Sequence, residues 1–177
     1  MKTPFATLTS LIILGCAPLA TADDPKATVK PADTPAARVL ANMAGTWDEE
    51  VEMADGRKVH GTSTGRFVMD GNWLETEANI PIDDKNRVLH LTLWGWDEKA
   101  NVFKSWMFSP TGAPLESTGV YDEKLKTFTT NGKMPNGSTV DVVTSIISAD
   151  RQEWTVKITN KDGKEVKFKG VNTRKKE

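Results

Sequence analysis

From Thr46 onward, hydrophobic and polar residues alternate with a period of two, and this alternation governs the reading of most of the chain. Trp47, Val51 and Met53 share one parity with Glu49, while Asp48, Glu50 and Glu52 take the other. Such alternation marks a half-buried strand. A longer strand is predicted over 58–69, with Gly61 and Gly65 as candidate bulges or bends. Asp70-Gly71 is a hairpin signal, after which 73–80 returns and 81–86 reads as a loop. Residues 88–109 form a central hairpin around the turn 97–101, and carry Trp94, Trp96 and Trp106. A near copy lies 25 positions on: Tyr121-Asp-Glu-Lys-Leu-Lys-Thr-Phe128 echoes Trp96-Asp-Glu-Lys-Ala-Asn-Val-Phe103. Further strands are predicted over 115–121, 127–133, 139–148, 153–159 and 165–173, with turns at Pro135-Asn136-Gly137 and Asp162-Gly163.

That makes about ten consecutive strands on short turns. An open sheet of this size would expose two long edges, and closure removes them. The expected fold is all-β: an antiparallel up-and-down barrel of about ten strands, preceded by one short helix. The helix is predicted over 35–43, with Thr34 as its cap, Pro35 in its first turn, and Val39, Leu40 and Met43 on one side. The 25-residue echo is two hairpins of one meander rather than a solenoid.

The first residues follow a different pattern. Lys2 precedes an apolar stretch, 5–17, too short to span a bilayer. Ala20-Thr21-Ala22 fits a cleavage site, so 1–22 reads as a secretory signal peptide and the protein as exported, periplasmic or extracellular. The alternative is Ile13-Leu14-Gly15-Cys16, which resembles a bacterial lipobox and would leave a membrane-anchored lipoprotein at Cys16. Residues 23–34, with Pro25 and Pro31, read as a linker, and 35–175 as the barrel domain. No later stretch is apolar enough to be transmembrane.

Composition narrows the function classes. The formal net charge is −1, which gives no basis for nucleic-acid binding. Cys16 is the only cysteine, so disulfides and thiolate metal sites are excluded from the rest of the chain. His60 and His90 are the only histidines and show no paired-ligand spacing. No nucleophile elbow, phosphate loop or dinucleotide fingerprint occurs. No catalytic residue, metal or cofactor is therefore assigned.

Candidate binding residues come from strand parity. If Trp96 faces Phe103, then Trp94 and Ser105 share a face with His90, Thr92 and Met107; Leu91, Leu93, Trp106 and Phe108 take the other. A mostly apolar wall with a few polar groups suits a small apolar or amphipathic ligand. Glu49 has two readings: inside the barrel as a polar anchor, or at an open rim in water, which the rarity of buried unpaired Glu favours. The barrel is either hollow or filled by its own side chains. Glu75 and Glu77 point outward by parity, leaving Trp73 exposed or covered by the helix. The candidate ligand-binding set is His90, Trp94, Trp96, Trp106 and Glu49. Two alternatives remain open: an enzyme using His90 or Glu49 as acid or base, and an interaction module of the cell envelope with Trp73 in a sticky patch. Oligomeric state is not legible.

Gly45-Thr46-Trp47 resembles the G-x-W opening of the calycins, the lipocalin and fatty-acid-binding group. That resemblance implies that Trp47 plugs the base of the barrel and that Arg174, at the end of the last strand, packs on it. Together with G-R-F-V-M-D-G-N-W-L, L-W-G-W-D, the Y-D-E-K-L-K-T turn and the terminal N-T-R-K, the chain resembles the DUF1579 family over about Leu40 to Lys175. The resemblance implies an exported or soluble bacterial protein and no stated activity. A more distant similarity to the haem-binding nitrobindins implies a histidine late in the barrel; the last strands here contain none.

Overall fold

A computed structural model describes residues 29–83, 85–110 and 112–176. The expected signal peptide, with Cys16, and the start of the expected linker lie outside the described residues. Ten antiparallel strands close into one barrel, each paired with its sequence neighbours: β1 (Gly45–Glu52), β2 (Lys58–Val68), β3 (Trp73–Pro81), β4 (Arg87–Asp97), β5 (Val102–Phe108), β6 (Leu115–Asp122), β7 (Thr127–Lys133), β8 (Thr139–Ser148), β9 (Arg151–Thr159) and β10 (Glu165–Arg174). β1 pairs with β10 to complete the ring, through Trp47 opposite Arg174 and Glu49 opposite Asn172. No strand edge is left unpaired in this ring, which accounts for a meander of this length remaining a single closed sheet.

The echoed turns have the same local solution. Asn101 and Lys126 occupy the same place in the two copies and both adopt positive φ, 55° and 53°. Asp97 accepts a hydrogen bond from the Ala100 N–H, and Asp122 accepts from those of Lys124 and Leu125. The phenylalanine that ends each copy, Phe103 or Phe128, is thereby returned to the barrel interior, where the two rings pack edge-on at 5.0 Å.

One end of the barrel is sealed. Helix α1 (Pro35–Leu40) is capped by Thr34, whose hydroxyl accepts from the Ala37 N–H, and runs into a 3-10 turn (Ala41–Met43). The turn truncates the helix expected over 35–43. Ala37 and Leu40 pack with Phe67, Leu74, Phe103 and Phe128 to form a floor. Gly65 lets this cap approach, because a Cβ there would overlap the Met43 carbonyl. Gly61 likewise abuts the β3 backbone at Asn79 and Ile80. These glycines therefore mark close approaches within a regular strand pairing, and of the two readings offered by the sequence, bulge or bend, the pairing carries no bulge at either. A register irregularity falls instead between Ile146 and Ser148.

The described part of the expected linker does not stand away from the barrel. Val29 bridges to Phe67, and the Ala32 N–H donates to the Gly71 carbonyl at 3.0 Å. Extended, proline-bearing chain can lie along a strand end in this way, using the few N–H groups it keeps.

Candidate functional site: an interior cavity

Above the floor the barrel is hollow. A cavity of about 410 Å³ runs toward the loops opposite the helix, within the range of roughly 300–1,000 Å³ usual for small-molecule sites. Its far end is ringed by apolar side chains, among them Met53, Ile82, Val88, Met134 and Ile158. Its deeper part carries hydroxyls: Ser63, Thr92, Ser105, Ser117, Thr130 and Thr144. Both sets follow from strand parity, since alternate residues of every strand face inward. A second depression, of about 430 Å³, is an open groove whose lining includes Glu50, Lys58, Glu52 and Lys169; these charges pair with each other and stay in water.

Glu49 lines the cavity with only 7 % of its surface exposed. It is therefore inside the barrel, and the rim-in-water reading is corrected. The reason is closure: Asn172 of β10 and Gly61 of β2 flank it on the two neighbouring strands. Burial pushes the Glu49 carboxyl above the usual carboxylate range, and the Ser63 hydroxyl bonded to it opposes that rise. His90 also lines the cavity, and burial pulls its imidazole below the usual histidine value. It pairs across the ladder with Ala78.

Among the described residues three indoles line the cavity, Trp47 at its floor and Trp94 and Trp154 in its wall. The Trp94 Nε1–H donates to Thr76 Oγ1 at 3.2 Å, and its ring meets Phe128 edge-on at 5.6 Å. The Trp154 Nε1–H donates to Asn172 Oδ1 at 2.7 Å. Gly170 makes room for that indole, because a Cβ there would overlap it. Gln152, 3 % exposed, spends its amide on the Asn42 carbonyl beneath the cavity.

The candidate residues are thus divided. His90, Trp94 and Glu49 line one cavity. Trp96 and Trp106 do not. Trp96 shares the inward parity, but it lies at the floor end, 39 % exposed, packed on Phe103 at 4.8 Å. Trp106 faces outward and packs 5.7 Å from Trp73, in a strip that includes Leu91, Leu93 and Phe108. Trp73 is outward as well; it is covered by Trp106 and lies over Gly95, not under the helix. Sequence reasoning missed Trp154, Asn172, Ser63 and Gln152. Their even or odd placement on a strand gives the face, but only the closed ring shows which of them meet.

At the floor, Trp47 is 2 % exposed, and the Arg174 guanidinium lies 4.1 Å from the centre of its ring. Arg174 also donates to the Ala44 carbonyl at 2.6 Å and the Ala149 carbonyl at 2.9 Å. Gly45 has φ of 104°, and any Cβ there would meet this guanidinium. That is the physical content of the G-T-W tripeptide.

Residues 33–175 match the family described as protein of unknown function DUF1579, and the chain belongs to that family. Among solved structures it is similar to the S-type phycobiliprotein lyase CPES from Guillardia theta, with 13% identity over 82% of this chain and 95% of that one and a TM-score of 0.55. A redesigned β-barrel, mFAP1, bound to DFHBI gives 15% identity over 77% and 99% of the two chains, with a TM-score of 0.44. EF1p2_mFAP2b bound to DFHBI gives 13% identity over 78% and 98%, with a TM-score of 0.46. No curated protein sequence matches the chain. At these identities the likeness is one of fold, a lipocalin-like barrel.

Proposed function

We propose that this protein is an exported container that holds a small, partly apolar molecule without covalent chemistry. One observation carries the reading: an interior cavity of about 410 Å³ with an apolar far end and a polar depth. Core packing leaves few voids larger than a water molecule, so a space of this size is a built feature. Its floor is closed by the buried cluster of Ala37, Leu40, Phe67, Leu74, Phe103 and Phe128, with Trp47 held under the Arg174 guanidinium at the same end, so the space is not a packing defect of a loose core. Apolar burial at the far end would drive entry, and the few polar groups below would set orientation. Export rests on the leader, 1–22, read as a cleaved signal peptide.

Native mass spectrometry of the protein purified from its own host tests the reading. A co-purifying molecule released on denaturation supports it. Bare polypeptide, together with no uptake of any apolar or amphipathic probe by the purified protein, overturns it.

A further inference from the structure

We infer that the cavity is built for an amphipathic cation, with an apolar chain or ring toward the far end and a protonated nitrogen set against the Glu49 carboxylate. The inference rests on the container reading and specifies the head group.

The charge inventory of the cavity has one sign. Among the described residues lining it there is no lysine or arginine; the ionisable groups are Glu49, Glu77 and His90. Glu77 is exposed and of outward parity, so Glu49 is the acid enclosed within. The side chain acting on its carboxylate is the neutral Ser63 hydroxyl. Asn172, beside it on β10, is also neutral and already accepts the Trp154 indole N–H. A buried carboxylate with no cation is costly, and a ligand that brings the cation removes that cost. The nearest arginine in the ladder, Arg174, is turned away onto Trp47 and the Ala44 and Ala149 carbonyls.

An anionic head finds the reverse. The indole donors are already used, Trp94 on Thr76 and Trp154 on Asn172, and the Gln152 amide is bonded to Asn42. His90 is held toward its neutral form by burial. A carboxylate-headed lipid would meet hydroxyls and a like charge. A cation would meet the Glu49 carboxylate in a cavity whose lining includes the Trp94 and Trp154 indoles and, among the described residues, carries no positive side chain.

The test uses three probes with one tail: dodecylammonium, dodecan-1-ol and dodecanoate, titrated calorimetrically into the protein and into Glu49→Gln. At pH 8 an alkylamine stays protonated, as lysine does with its pKa of about 10.4. The expected order is cation, then alcohol, then carboxylate, with the cation about tenfold or more tighter than the alcohol, a difference of about 1.4 kcal/mol. Glu49→Gln should abolish the preference of the cavity for the cation over the alcohol. If the alcohol binds as tightly as the cation, or the variant keeps the preference, the head-group inference is overturned and the container reading stands. If none of the three binds, the head-group inference falls, and the container reading falls with it only when the protein from its own host is also bare polypeptide and takes up no other apolar probe. Should Glu49→Gln fail to fold, the order of the three probes on the unaltered protein decides.

Discussion

The Arg174 guanidinium sits over the Trp47 ring at 4.1 Å and so locks the last strand to the first. Its Nε and Nη1 reach the Ala149 and Ala44 carbonyls, which ties the β8–β9 turn and the residue before β1 to the same side chain. One residue therefore holds barrel closure and the floor cap together. Its ion pair with Asp150, at 3.5 Å and with the Asp side chain 63% exposed, adds little.

Arg174→Ala removes the cation–π contact and leaves two carbonyls without that donor. A loss of about 2–3 kcal/mol is expected from such a change. Arg174→Lys keeps the charge but not the planar fork, and should recover only part of it. Urea unfolding of the three proteins measures both; equal stability of Arg174→Ala and the parent would remove Arg174 from the account of closure.

Glu49 makes stability depend on pH in a stated direction. Its folded-state pKa is raised by burial, so the folded chain holds this proton to higher pH than the unfolded chain does. Below the unfolded value both forms are protonated and the residue costs nothing. As pH rises through the window up to the folded value, stability is lost. Glu49→Gln lacks this loss, so at neutral pH without ligand it should melt a few degrees higher than the parent, the gap closing toward about pH 4. His90, whose folded pKa is lowered, removes stability from both proteins equally as pH falls, so the difference between the two curves isolates Glu49. A gap that widens in acid would contradict the burial.

The central-hairpin tryptophans should separate by function. Trp106→Ala loses the outer-face contact with Trp73, worth about 0.5–1.5 kcal/mol beyond the area uncovered, and should leave probe affinity unchanged. Trp94→Phe removes the indole that donates to Thr76 in the cavity wall and should change affinity severalfold. Titration of Nile red, an uncharged dye that fluoresces in apolar sites, compares them. Equal effects from both variants would mean that dye binds the outer strip.

How far the sequence leads can be judged from these residues. Alternation and the two Asp-headed turns define ten strands, because each is a local property of a few consecutive residues. Parity also separates Trp94 from Trp106. Parity cannot separate Trp94 from Trp96, which share a face; Trp96 lies past the aromatic floor, and the position of that floor depends on where the 3-10 turn after α1 meets Gly65 at Met43. Glu49 is harder still. Its burial depends on Asn172, more than a hundred residues away, and on ring closure between β1 and β10. Gly61 and Gly65 read as bulges or bends in a sequence because those are the local uses of a strand glycine, whereas their role here is tertiary.

The most direct test of the hollow barrel is to fill it. Ala78 is 7% exposed, lines the cavity, and lies between Ser63 and His90 on the neighbouring strands. Ala78→Phe places a ring in the cavity, and the remaining space should accommodate it without unfolding the barrel. Nile red titration, with circular dichroism to confirm the fold, is the measurement. The folded variant should lose dye binding by about tenfold or more, roughly 1.4 kcal/mol. A folded Ala78→Phe that binds the dye as the parent does would show that the cavity is not the binding site.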